Sequence, residues 1–252
     1  EIMASTSETG HHKNVSSFES LVSSAQGFGA NFNPSKTSLK LPALQTQLAS
    51  VRANITAVTS SSVAFNNAVN ARIIAFTGIQ KLSTRLVNAL DVSNASDALV
   101  KDAKTVNAKV QGSKLTKADS GKTAKTIDPN APITDTIKTI SSSQRSYDSL
   151  IEHLSKMIVI LSSEPTYLPN ENDLKIATLN TQLTNLKNVN TGVINAYTTV
   201  SNARISRNLS LYNPTNGLCA TAKEVKAYVK SVFGATSPQY KQISGLEFKT
   251  IK

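Results

Sequence analysis

Residues 32 to 48, FNPSKTSLKLPALQTQL, return 135 positions later as YLPNENDLKIATLNTQL at 167 to 183. At that constant offset Phe32 meets Tyr167, Pro34 meets Pro169, and Leu39-Lys40-Leu41 meets Leu174-Lys175-Ile176. Thr46-Gln47-Leu48 then meets Thr181-Gln182-Leu183. Three further blocks recur in the same order: Ser17-Phe18-Glu19-Ser20-Leu21 as Ser146-Tyr147-Asp148-Ser149-Leu150, Asn70-Ala71-Arg72-Ile73 as Asn202-Ala203-Arg204-Ile205, and Val110-Gln111-Gly112 as Ile243-Ser244-Gly245. The pairing of Asn70–Ile73 with Asn202–Ile205 assumes a three-residue deletion. A self-similar chain must fold as two like units, so the repeat comes before any other reading. The expected division is an N-terminal extension at 1–14, a helical repeat at 15–112, a Lys-rich linker and helix start at 113–143, a second repeat at 144–245 and a tail at 246–252.

Within each copy the apolar residues follow a heptad. Leu41, Leu44, Leu48, Val51, Ile55, Val58, Phe65 and Val69 are spaced alternately by three and four, with Ser62 as the polar interruption. Ile176, Leu179, Leu183, Leu186, Val193, Tyr197 and Val200 repeat the pattern, interrupted by Asn190. This predicts one long helix per copy, with Ser38 and Asp173 as N-caps. Shorter helices are expected at Ser17 to about Gln26, Ile79 to Val92, Ser96 to Val110, about 133 to 163, and Ala220 to Phe233. Pro214 and Gly217 mark a turn, and the tail from Tyr240 reads as extended. A single seam cannot bury itself, so two matching seams predict mutual burial about a pseudo-twofold axis; the alternative is two separate three-helix units strung on the linker at 113 to 132. The fold class is thus all-α: an elongated helical bundle of two tandem long-helix copies. Three extra residues near Ser60 to Ser62 predict a bend or over-wound stretch there. The absence of Trp and the 5% aromatic content agree with an aliphatic interhelical core. The abundance of Ser, Thr and Asn, all mediocre helix formers, means that packing must stabilise these helices.

Chemistry is sparse in the sequence. The three histidines, His11, His12 and His153, form no metal-ligand spacing; His11 and His12 read as a solvated segment and His153 as a surface or groove residue. Cys219 is the sole cysteine and reads as a packed or semi-exposed thiol, with no disulfide partner in the chain. Glycine-rich phosphate loops, nucleophile elbows and paired carboxylates are missing, so no catalytic residue, cofactor or metal is expected, and no enzyme. Four Asn-x-Ser/Thr triplets, at Asn14, Asn54, Asn94 and Asn208, arise by accident in such a composition and carry no glycosylation claim.

The net charge of +11 permits polyanion binding. Lysines concentrate at Lys101, Lys104, Lys109, Lys114, Lys117, Lys122 and Lys125, the candidate polyanion contacts, without the aromatics or arginine that base recognition uses. Arg72 and Arg204, at matched places in the two copies, are candidate seam or groove residues, able to bond helix ends or to meet an anionic partner. Asn190 is a candidate register-setting residue on its seam. The longest apolar run, Met157 to Leu161, is too short to cross a membrane, so a soluble protein is expected. Glu1 rather than Met opens the chain, which leaves room for a removed leader and export to the cell exterior.

The stretches SSEPTYLPNENDLKIATLNTQL (162 to 183), VSNARISRN (200 to 208) and VKAYVKSVFGATSPQYKQISGLEF (225 to 248), with DAKTVNAKVQG (102 to 112), resemble a family of uncharacterised helical proteins from Bacteroidetes-type bacteria. The likeness lies mostly in the second copy. It implies a bacterial origin and brings no activity, cofactor or site residue with it. The composition alone is similar to that of flagellin-type assembling proteins. The expected role is a non-enzymatic structural protein that self-associates, as a filament or other extracellular assembly. The alternative is a module that binds nucleic acid, acidic polysaccharide or a membrane surface through the lysine stretch.

Overall fold

The computed structural model describes residues 9 to 112 and 145 to 250, and every regular element among them is helical. In chain order these are α1 (Thr9–Gly27), α2 (Leu41–Phe76), α3 (Ile79–Asp91), α4 (Asp97–Gln111), α5 (Tyr147–Ser162), α6 (Ile176–Tyr212), α7 (Leu218–Phe233) and α8 (Pro238–Ser244). Short 3-10 turns at Thr37–Leu39 and Asn172–Leu174 precede the two long helices.

Those turns displace the expected caps. Ser38 and Asp173 lie inside them, and the carbonyls of Lys40 and Lys175 instead accept the first helical bonds, from Leu44 and Leu179. The cause is burial of Leu39 and Leu174: each turn tucks its leucine into the core just before the helix starts. Elsewhere the caps are those the residues favour. Ser96, Ser146 and Ser237 accept the amide protons of Leu99, Ser149 and Tyr240, and Pro238 opens α8. Gly78 sits between α2 and α3 at φ +86, a left-handed backbone that side-chain-bearing residues rarely adopt. Gly217, ahead of α7, is needed for space, because a Cβ there would lie 2.5 Å from the backbone nitrogen of Asn213.

α2 and α6 are 36 and 37 residues long and run unbroken, so the expected deviation around Thr59 to Ser62 does not interrupt α2. The polar residue on its buried face is Ser61, whose Oγ donates to the Val58 carbonyl at 3.0 Å; Ser62 is half-buried. Hydroxyls along both helices turn back on their own backbone, as Thr59 does to Ile55 and Thr184 to Asn180. Such bonds satisfy the hydroxyl at slight cost to the helix, and the buried leucines and valines supply the stability.

The chain divides into two compact units. The terminal unit comprises Glu1–Asn67 and Ile194–Lys252 and holds α1, the first part of α2, the last part of α6, α7 and α8. Its core joins Phe18, Leu21, Leu44, Val51 and Ile55 to Leu211, Leu218, Val225, Val229 and Ile243, with α1 packed on α7 and α8. The middle unit, Ala68–Val193, holds the end of α2, α3, α4, α5 and the start of α6. Phe76, Leu86, Leu90, Ala103 and Val110 there pack with Leu154, Met157, Leu161, Leu179 and Leu186.

Both ends of the chain depart from expectation. The residues before Ser17 are helical from Thr9, because His11, Asn14 and Val15 are buried rather than solvated. The tail is not extended from Tyr240: it forms α8, and then Leu246 and Phe248 pack partly into the terminal core. Of the segment expected to be helical from about 133, the residues before 145 lie outside the described ones.

Candidate functional site: polar residues on the helix seams

A guanidinium on an apolar seam must find acceptors or a π-face to compensate its lost hydration. Arg72, near the end of α2, finds both in the middle unit. Its guanidinium carbon stands 4.1 Å from the centroid of the Tyr147 ring, and Tyr147 in turn meets Phe76 edge-on at 4.8 Å. One Nη donates to Oδ1 of Asn190 at 3.1 Å, and the Asn190 Nδ2 donates to Oδ1 of Asp148 at 2.7 Å. A guanidinium only donates and a carboxylate only accepts, so the amide between them has a single satisfactory orientation. Asn190 is buried, as its seam position implies. It acts as a relay between a cation on α2 and an anion in the first turn of α5, tying three helices together. Replacing Asn190 with Ala is expected to cost about 1–3 kcal/mol, because Arg72 and Asp148 lose their shared partner. The urea midpoint of unfolding measures it.

Arg204 takes no such place. It is exposed, whereas Arg207, one turn on, is 97% removed from solvent at 3% exposure and donates from Nε and one Nη to the Asn208 side chain. The pairing of Arg72 with Arg204 rested on matched letters, Asn-Ala-Arg-Ile, and that match selected the wrong arginine for burial. The 135-residue offset of the preceding block points to Arg207 and was the available signal.

The terminal unit contains a polar clasp that sequence reading missed. Buried His11 shares a 2.7 Å hydrogen bond between Nδ1 and the Tyr212 hydroxyl, which also accepts from Asn14 Nδ2 at 3.2 Å. Asn14 also meets the backbone of Lys249 with both ends of its amide: Nδ2 donates to the carbonyl at 2.7 Å and Oδ1 accepts from the amide nitrogen at 3.0 Å. One side chain thereby pairs like a strand neighbour and fastens the C-terminal segment to α1. His153 is likewise buried, on α5, not on a surface or groove.

The lysine stretch is brought together only in part. Lys101 is exposed on α4, Lys104 lies 3.6 Å from Asp91, and Lys109 is half-buried in the last turn. Lys114, Lys117, Lys122 and Lys125 lie outside the described residues. Arg85 grips Asp173 with both terminal nitrogens, which raises the arginine and depresses the carboxyl below its ordinary range. Among the described residues no group of His, Cys, Asp and Glu is arranged to hold a metal, and no helix is long and apolar enough to cross a membrane.

Cys219 is buried on α7, and burial pushes its thiol up to about 11 against the opposing charge of Lys223. Thiolate is the reactive form. A disulfide reagent at pH 8 is therefore expected to react slowly with the native protein and rapidly in denaturant, followed by thiol absorbance.

An open groove of about 950 Å³ lies in the terminal unit, between the start of α2 and the end of α6. Ala43, Thr46, Ser50, Ser206, Leu209 and Asn213 line it. The lining combines small hydroxylic residues with Lys40, Val51 and Leu209, and holds no His, Asp or Glu beside a hydroxyl to activate it. The chain matches no protein-family model, no curated protein and no solved structure.

Proposed function

We propose that this is a non-enzymatic structural protein that self-associates, built as a duplicated helical bundle. The observation that carries the reading is the use made of its polar side chains. Arg72–Asn190–Asp148, His11–Tyr212, Asn14–Lys249, Lys36–Glu224 and Arg85–Asp173 each join one helix or turn to another within a unit. Side chains committed to holding helices together are what a load-carrying or assembling scaffold needs, whereas a catalyst needs polar groups turned toward a substrate. The duplication reading is supported by the matching inventory of the units. Each has a first helix, a 3-10 turn and the start of a long helix from one copy, joined to the end of a long helix and the next two helices of the other.

Light scattering and negative-stain microscopy across a wide concentration range test the function. Mass that grows with concentration, or regular particles, is the expected result; a monomer throughout rejects it. Growth that appears only with added heparin and vanishes in salt would favour the electrostatic alternative instead.

A further inference from the structure

The groove between the start of α2 and the end of α6 does not stop at its own walls. Ala43, Gln47 and Asn216 also line a second cavity, of about 340 Å³, beside the first turn of α7 in the same terminal unit. Thr221 and the Lys36–Glu224 ion pair lie on that inner cavity. Through the three shared side chains the two spaces adjoin, as an open trough next to a pocket of the size that holds small molecules.

Several polar groups here are not spent on joining helix to helix. Thr46, on the trough, donates its hydroxyl to the Pro42 carbonyl at 2.9 Å. Thr221 does not do the same: it is only 7% exposed, and its hydroxyl has no hydrogen-bond partner among the described residues. A buried hydroxyl left unmatched is costly, so a ligand that reaches it recovers that cost. The hydroxyls of Ser50 on α2 and Ser206 on α6, and the side-chain amide of Asn216, are likewise uncommitted among the described residues. Gln47 donates from Nε2 to the Asn216 carbonyl at 2.9 Å and keeps its Oε1 as a further acceptor.

These walls select among occupants. An anion meets one unpaired cation, Lys40, because both carboxylate oxygens of Glu224 hold Lys36, at 2.8 and 2.6 Å. No arginine stands among the lining residues to grip phosphate or carboxylate with two nitrogens. An extended peptide needs a sheet edge with free backbone groups, whereas the trough walls are helices whose backbone bonds are internal. An amphipathic helix needs a row of apolar anchors, and Val51 is buried, which leaves Leu209 as the large apolar side chain exposed in the lining. What suits the site is an uncharged molecule dense in groups that both donate and accept, as Ser, Thr, Asn and Gln do, with C–H faces to lie on Pro42, Ala43 and Leu209. Sugar rings have that combination: hydroxyls around the rim and C–H groups on the faces.

We infer that this concavity binds a neutral saccharide chain, with one ring in the inner pocket against Thr221 and Asn216 and the following rings along the trough between Ser50 and Ser206. The inference goes beyond the self-associating role and is independent of it, because the whole concavity is built within one unit of one chain.

Isothermal titration of the full chain with cellohexaose, maltohexaose and chitohexaose tests it, since these probes are β-linked, α-linked and N-acetylated neutral chains. Saturable binding of at least one is expected, with a dissociation constant at or below about 1 mM. Ser206→Trp fills the trough from an exposed position, so it should abolish binding with an unchanged thermal midpoint. Thr221→Val removes the hydroxyl and keeps the shape of the side chain. It should weaken binding about three- to tenfold, the worth of one hydrogen bond, while the thermal midpoint holds or rises because no internal bond is lost. Failure of all three probes to bind overturns the inference, and so does equal binding by wild type and both variants. Binding of inorganic phosphate in place of the saccharides, lost in Lys40→Ala and in high salt, would assign the trough to an anion and reject the saccharide.

Discussion

Cut between Asp128 and Pro129 and expressed separately, the two halves of this chain are expected to lack cooperative unfolding, and to regain it when mixed. The prediction follows from where the cores draw their residues. The terminal core takes Val15 to Ile55 from the first half and Leu211 to Ile243 from the second. The middle core takes Phe76 to Val110 from the first half and Leu150 to Leu186 from the second. Either half alone therefore holds an incomplete share of both cores and exposes the leucines that should meet the other half. Helices without their apolar partners are marginal in water, more so when rich in Ser, Thr and Asn. Circular dichroism of each half should show a shallow, non-sigmoidal melt, and an equimolar mixture should show a sigmoidal one at the helical content of the whole chain. A first half that melts cooperatively alone would show that copies, not mixed halves, are the folding units, contrary to the partition of the cores.

The second large effect is expected at Phe18. Its ring is fully buried in the terminal core, on the α1 face that also presents Val15, Leu21, Val22 and Ala25. Phe18→Ala removes a large buried side chain and leaves a cavity that α7 and α8 cannot close without breaking their own packing. A loss of about 3–5 kcal/mol is expected. Leu168→Ala provides the contrast: that leucine is 82% exposed, and its loss should change stability by no more than about 0.5 kcal/mol. Urea titration of the three proteins measures both, with unchanged slopes showing that the unfolding reaction is the same.

The polar positions show how far a linear reading reached. Asn190 was legible because a polar residue interrupting a heptad is visible in the letters, and its burial follows from the period. Arg72 was legible through the repeat, which set its Asn-Ala-Arg-Ile beside a second copy at the end of the other long helix. Arg207 was not, because a short identity in a Ser- and Asn-rich chain outweighed the longer-range offset. His11 and Asn14 were out of reach: they sit in a polar stretch, and the groups that bury them, Tyr212 and the Lys249 backbone, are 201 and 235 residues away in sequence.

What the sequence by itself determined is therefore local and periodic. Apolar residues at three and four define α2 and α6, Ser96 opens α4, Pro214 and Gly217 set the turn before α7, and an aliphatic composition implies helix on helix. Each depends on neighbours within a few residues, where backbone geometry and side-chain period act directly. Tertiary structure decided which segments share a core, that α1 starts as early as Thr9, that α8 forms after Ser237, and which arginine of α6 is buried. These depend on surface removed from water by segments far apart in the chain, and no local period records which segment will remove it.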